Sequence, residues 1–452
     1  MAVGVEAAVE SVEIEAFSTE IPSLIPMSKS LYSLARDRFT KVPVSYQTYA
    51  NGASRPSFRV PFRVQGGAAI QQGTGDGTAL GLGNMSVWQD FSLSPVWNFS
   101  VNQMSHLSQL AVNGKKRGLI SLKAEELKNS LDSTMAGLEG LMYGDGSGLI
   151  TQIPTTATVN TATTVGPGNI VGVRAMAFTD NQIVAFFTAE GTSSYGYATV
   201  SVNDPVTSTL YFYGGLATGS STLGSSLSGT VAAGDYMMVY GANGSATAGN
   251  GIIGTTGWIN SAASGTIAGI NRATYPSRIS SPSINLNGGS VVASLSQRIE
   301  ALLGRAMGGD NKTKDSGIYI FGEDQSLAVA QTNYYNKQIT QNSDTPGPSG
   351  KVPDTSRKYF QGTFGGRDVH LSYVQPLGRI DMLLTSEWYI GELCPLQLYD
   401  FGGGNTVMPV PAGTAAGGWL TSTQFVYEVS FNLACAAPRH QLYVYNCSQP
   451  TI

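Results

Sequence analysis

The sequence predicts an α+β fold, on three observations. A long helix-periodic segment, Leu119 to Ile150, ends in the glycine-rich GDGSG. Runs of period-two alternation lie before it and at the far end of the chain. A second helical stripe, Val291 to Met307, is followed directly by the strand-like GIYIFG. Leu127, Leu131, Met135, Leu138 and Met142 recur at three- and four-residue steps and predict the buried stripe of the first helix. Lys123, Glu126, Asn129, Ser130 and Ser133 fall on its other side, and Ser121 is the candidate N-cap. Gly144, Gly146 and Gly148 supply the permissive backbone that stops the helix.

Ahead of that helix, Ile21 to Phe39 predicts a short helix within an N-terminal arm. Phe58, Val60, Phe62 and Val64 then alternate with Ser57, Arg59, Pro61 and Arg63, a strand with one apolar and one basic face. Pro61 excludes a central strand. Met85 to Leu93 is the expected returning strand, with a glycine-rich, nearly uncharged tip between the two. An isolated two-stranded ribbon is marginal in water, so this one is expected to be completed by a partner.

After the long helix, Thr155 to Gly254 reads as an inserted β-rich domain. Its candidate strands are Gln182–Thr188, Tyr197–Val202, Thr209–Tyr213 and Asp235–Gly241. In the second helix, Val292, Leu295, Ile299, Leu302, Leu303 and Ala306 form the apolar stripe. A short helix near Gln325–Tyr335 and a polar loop from Thr340 to Arg357 come next. The expected closing strands are Asp368–Tyr373, Asp381–Leu384, Phe425–Leu433 and Gln441–Tyr445.

Of 452 residues, 42% are hydrophobic and only 12% charged, against about 25% charged in an average soluble protein. So few charges suit a chain that buries much of its surface against other subunits, or a Ser/Thr/Gly-rich β surface of the extracellular kind. The net charge of −4 does not suit a protein that grips nucleic acid over its whole surface. It does suit a container wall that must not adhere to a polyanion. Three cysteines, Cys394, Cys435 and Cys447, make no disulfide framework, and a reduced chain is expected. The N-terminal stretch carries Glu6, Glu10, Glu13 and Glu15 and no basic region of the secretory type, and no apolar run is long enough to span a bilayer.

No catalytic, metal or cofactor site is expected. His106, His370 and His440 lie far apart, without Cys/His ligand spacing. The glycine-rich runs lack the GK[ST] of a phosphate loop, and no GxSxG is present. Asp310, Asp315, Glu323 and Asp324 flank a strand and read better as a solvated loop than as a cation site. Lys115, Lys116 and Arg117 form the one dense basic run, either a phosphate or carboxylate contact or simply an exposed turn.

The order of these elements resembles the tailed-phage major capsid proteins of the Hong Kong 97-type fold. The features that carry the resemblance are the long helix closed by GDGSG, the glycine-tipped hairpin before it and the passage GDYMMVYG, GIIGTTGWINSA, IAGINRATYPS. The second helix and the closing strand before AAPRH add to it. The resemblance implies an N-terminal arm (1–50), an extended loop (51–104) and a spine helix opening the peripheral domain (105–154). The inserted domain (155–254) would follow, then a peripheral-domain helix (255–314), an axial domain (315–424) and C-terminal strands of the peripheral domain (425–452).

It implies a structural protein without enzymatic activity, forming hexamers and pentamers of an icosahedral head in the virion, assembled in the host cytoplasm. Scaffold, portal and decoration or cement proteins are implied partners, the packaged double-stranded DNA is touched only non-specifically, and no membrane is involved. The expected inter-subunit carriers are Arg55, Arg59 and Arg63, with Phe58, Phe62, Trp88 and Phe91 as packing anchors. Some members of the family weld subunits through a lysine on the extended loop, but no lysine occurs here between Lys41 and Lys115. Two other classes are weighed: a bacterial nanocompartment shell protein of the same fold, and a secreted β-rich adhesin or fibre. The β-rich insertion argues against the first. The two helices and the absence of a signal-type N-terminus argue against the second.

Overall fold

A computed structural model gives the architecture. It describes residues 30–48, 54–65, 85–105, 122–161, 168–173, 175–188, 193–204, 206–218, 226–240, 251–291, 294–307, 317–322, 325, 363–364, 367–372, 374–402, 405–411 and 419–448. Ser121, His106, the basic run at 115–117, the acidic residues Asp310, Asp315, Glu323 and Asp324, and the loop at 340–357 lie outside the described residues, as does nearly all of the expected short helix at 325–335.

The body is built on two sheets with the long helix, Leu122–Met142, between them. The first sheet has five strands. Trp419–Cys435 is its centre, flanked by Val96–Ser105 on one side and by Trp388–Leu398 and Met408–Pro411 on the other. Thr40–Val42 adds a parallel strand beyond Trp388–Leu398. Every residue from Phe425 to Cys435 is buried, as a central strand requires, and Phe425, Tyr427, Val429 and Phe431 share one face of it. The second sheet has six strands in the order Ser283–Asn285, Leu442–Tyr445, Ile380–Leu384, Gly317–Phe321, Arg367–Leu371, Thr363–Phe364. Ile318, Ile320 and Leu383 turn toward the core that holds the long helix. Tyr319, Phe321, Met382 and Leu384 turn the other way, onto the helix Ser294–Ala306 through Leu295, Ile299 and Leu303.

The long helix departs from its expected stripe in two places. Leu138 and Met142 are buried, and Leu127 and Met135 are partly buried against the core. Leu131 is 37% exposed, whereas Ser130, expected on the polar side, is buried. The reason is that different neighbours cover different turns. Leu127 meets Tyr427 of the five-stranded sheet, while Glu139 meets His370 of the six-stranded sheet. The covered face therefore rotates along the helix and leaves Leu131 outside it.

Residues 30–48 are not a loose arm. Ser30 caps the helix Leu31–Arg38, which buries Leu31, Tyr32 and Ala35 in the body core. Residues 96–105, expected within the extended loop, are a strand of the five-stranded sheet. Trp388–Leu398, expected in the axial region, joins that same sheet, while Leu442–Tyr445 joins the other. Chain segments thus interleave between the two sheets, which contiguous boundaries do not capture.

The β-rich region is an eight-stranded sheet with a core of its own, including Phe178, Phe186, Val200, Leu210 and Phe212. It begins at Leu149–Gln152, ahead of the expected Thr155. Its two ends meet at a neck. Asp145 bridges Ile253, Gly251 N–H donates to the Gly146 carbonyl at 2.9 Å, and Gly254 N–H to the Gly144 carbonyl at 3.0 Å. A Cβ at Gly254 would collide with the Met142 carbonyl, so the close approach requires glycine there. Beyond the neck, Arg272 of the GINR passage is buried among the carbonyls of Gly257, Ile279 (3.2 Å) and Asn260 (3.4 Å). It fastens that segment together, and burial lowers its pKa from the usual guanidinium value.

Candidate functional site

The surface that sequence reasoning singles out is the ribbon, Ser54–Gln65 paired with Val87–Leu93. The structure separates its two faces. Phe58, Val60, Phe62, Phe91 and Leu93 are buried within the same protomer. Phe62 stacks on Phe91 at 4.3 Å between ring centroids, and Phe91 meets the edge of Trp258 at 4.9 Å. Trp258 in turn donates to the Leu433 carbonyl at 3.0 Å. Phe58 lies over Gly391, where any Cβ would strike its ring. Phe58, Phe62 and Phe91 therefore anchor the ribbon to its own body and are not anchors for a neighbour. Nor is the ribbon two-stranded throughout: Ser45–Thr48 pairs with its base at Ser54–Ser57.

The outer face is different. Arg59 and Arg63 are exposed, with Trp88 beside Arg63 and exposed Asp90 opposite Pro61, between the two arginines. Arg55 pairs in register with Gln47 at the base. Trp88 is 58% exposed on this face, while Val87, also exposed, falls on the Phe91 face near the tip. Arg278 donates to the Val64 carbonyl at 3.0 Å and ties that end of the ribbon to the segment after the neck.

A second exposed surface was not anticipated from the sequence. Trp97, Phe99 and Val101 stand on one face of Val96–Ser105, the face turned away from the long helix. Trp97 and Phe99 are stacked, 5.9 Å apart and 6° from parallel. Phe99 meets the edge of Tyr399 at 6.4 Å, and Tyr399 that of Phe401 at 5.1 Å. The signal was present as alternation with Asn98, Ser100 and Asn102. Alternation alone assigns the apolar side to the core, and here it is the polar side that faces the helix.

Reactive chemistry is sparse. Among the described residues no group of His, Cys, Asp and Glu could hold a metal ion. His440 meets Glu387 at 2.6 Å, and Glu387 also accepts from Gln441 at 3.0 Å, a fastening near the C-terminal strands. His370 and Glu139 are both buried, 3.7 Å apart. The three cysteines are free and buried. Burial pushes the Cys394 and Cys447 thiols up to about 11, which leaves them poor nucleophiles near neutral pH. Among the described residues no helix is long and apolar enough to cross a membrane.

No protein-family model matches the sequence, and no curated protein matches it. Solved structures do. The chain is similar to the cyanophage A-1(L) capsid asymmetric unit, at 11% identity and a TM-score of 0.52, covering 96% of this chain and 97% of that one. It also aligns with a structure of Gordonia phage Cozz, at 10% identity and 0.43, covering 95% and 89%. A holo-SrpI encapsulin complex from Synechococcus elongatus PCC 7942 aligns at 8% and 0.39, covering 97% and 96%. The likeness to the first of these is one of fold. With helices and strands in the order described, this chain has the α+β Hong Kong 97-type fold of phage capsid proteins.

Proposed function

We propose that this chain is the major capsid protein of a tailed double-stranded DNA phage, a structural protein with no catalytic role. It forms hexamers and pentamers that tile an icosahedral head around the genome. The observation that carries this reading is the fold likeness to a capsid asymmetric unit across nearly the whole of both chains. The low charge content and the exposed Arg59, Arg63, Trp88 surface support it, because Arg and aromatic residues are the types enriched at protein interfaces. Scaffold, portal and decoration proteins are the partners this function calls for, and the acidic chain meets DNA only non-specifically. The particle is built in the host cytoplasm and the protein resides in the virion. The insertion is an outgrowth of the peripheral region with no part in the shared core.

With no lysine between Lys41 and Lys115, neighbours are held without a covalent weld from the ribbon. Light scattering after size exclusion, with electron microscopy of the same fractions, tests the reading. Closed shells whose subunits run as a single band on a denaturing gel are expected. A lone monomer at every salt and protein concentration overturns it. Shells that take up a protein cargo and no nucleic acid would move the assignment to a nanocompartment.

A further inference from the structure

The insertion is almost without charge. Between Leu149 and Gly254 the charged residues are Arg174, Asp180, Glu190, Asp204 and Asp235, and there is no lysine or histidine. Asp235 is buried, bonded to the Tyr195 hydroxyl and to the Ala232 N–H at 2.7 Å. Asp180 accepts from the Asn203 N–H at 2.9 Å, and Asp204 from the Thr207 hydroxyl at 2.6 Å. The sheet turns Val184, Phe186, Ala198 and Met237 into the core, so the alternate residues face the other way. On that outer face one row spans four adjacent strands. Val239 pairs with Val184, which sets Tyr240 beside Ile183, and Ile183 pairs with Thr199. Beyond it, the Tyr213 N–H donates to the Thr199 carbonyl at 3.0 Å. Tyr240, Ile183 and Tyr213 are 52%, 39% and 45% exposed. Tyr197 leans on Tyr240 at 4.8 Å between ring centroids, and the Tyr213 hydroxyl donates to the Asn181 side-chain oxygen at 3.3 Å.

We propose that this row binds a neutral polysaccharide, with sugar rings stacked on Tyr240 and Tyr213. The chemistry of the row selects the occupant. A tyrosine ring offers an apolar face to sugar C–H groups and a polar hydroxyl at its edge, and covering it calls for no counter-charge. Neighbouring strands lie about 4.8 Å apart, so three strand steps put Tyr240 and Tyr213 roughly 14 Å from each other. That span suits a run of linked sugars and not a single one. Between the two rings, Ile183 supplies an apolar floor and Thr199 a hydroxyl, and Asn181 adds an amide at the Tyr213 end. A polyanion requires cations, and the row has none. A protein partner fits less well, because protein interfaces are enriched in Arg and Met, and the row carries neither. The strands beneath are fixed by a core of their own, so little has to be ordered on binding. The inference needs only the fold of the insertion and stands apart from the shell reading; assembly into a shell would multiply weak sites into avidity.

The test passes the full chain, assembled or not, over immobilised dextran, amylose, galactomannan and cellulose, with immobilised heparin as the anionic control. Retention is expected on at least one neutral matrix, with release by soluble fragments of the same polysaccharide, and none on heparin. Tyr213→Ala with Tyr240→Ala should weaken that retention about tenfold or more. Ile183→Arg, which sets a long charged side chain in the middle of the row, should do the same by a different route. Both changes fall on exposed side chains, so calorimetry should find the unfolding transition of the insertion unmoved. Retention by none of the four neutral matrices overturns the inference, and so does retention that survives both sets of substitutions. Recruitment of a protein that the same substitutions abolish, with no polysaccharide held, also overturns it and makes the row a protein-docking surface. Electron microscopy of the same samples scores assembly separately, so the shell reading and this inference fail independently.

Discussion

The insertion and the ribbon are both β structures that project from one body, and they are stabilised in opposite ways. The insertion buries Phe178, Phe186 and Phe212 among its own strands, and the chain enters and leaves it at one neck, where Asp145 bridges Ile253. The ribbon has no core of its own. Phe58, Phe62 and Phe91 belong to the body's cluster, together with Trp258, Trp388 and Phe431. Local closure makes a module that can be gained or lost without disturbing its host. Borrowed burial makes an element whose position is fixed by its host.

The sharpest way to break this comparison is to remove the insertion. Replacing 149–250 with a short Gly/Ser linker leaves the partners Asp145 and Ile253 next to each other, so chain closure demands little. Calorimetry should lose one whole unfolding transition. Circular dichroism should keep the helical signal of Leu122–Met142 and Ser294–Ala306. Collapse of that signal would show that the insertion is part of the shared core.

The ribbon should behave in the opposite manner. Phe58 is 1% exposed and seated over Gly391. Phe58→Ala should cost about 3–5 kcal/mol, the range for a large aromatic removed from a core. Urea titration should place the loss in the transition of the body and leave that of the insertion unmoved. A cost below about 1 kcal/mol, in the range of a surface substitution, would mean that the ribbon is not fastened to its own protomer.

Legibility in the sequence follows the same division. Elements with one apolar face and a local reason for it were readable: the long helix, the Ser294–Ala306 helix, the Phe58–Val64 alternation and the closing strand. The fate of those faces was not. Phe58 and Phe62 read as interface anchors, because the partners that bury them, Gly391 for Phe58 and Tyr275 for Phe62, lie far along the chain. Trp388–Leu398 went unread because Gly391 and Pro395 interrupt it, and its pairing with Trp419–Cys435 supplies what local propensity lacks. Val96–Ser105 is the instructive failure. Its exposed side carries Trp97 and Phe99, so the strand obeys the period of two while inverting which face is buried. Of the expected interface residues, the structure leaves Arg59, Arg63 and Trp88 on the surface and takes the three phenylalanines inside.

The smallest effect tests whether the long helix belongs wholly to the body. Gly137 sits in its interior, where glycine costs about 1 kcal/mol relative to alanine. Two explanations compete: a tolerated weakness, or the close approach of another backbone that only glycine admits. The geometry favours the first, since a Cβ built at Gly137 meets nothing within 4 Å. Gly137→Ala should therefore stabilise the protein by about 1 kcal/mol, by restricting the unfolded chain and filling open space. Because the helix packs against both body sheets and the insertion closes on itself, the gain should appear as a rise of no more than about 2–4 °C in the body transition alone. A rise shared by both transitions would mean that helix and insertion unfold as one unit. A fall would mean that a neighbouring copy presses against Gly137 in the assembled shell, and particles and unassembled protein would then respond with opposite signs.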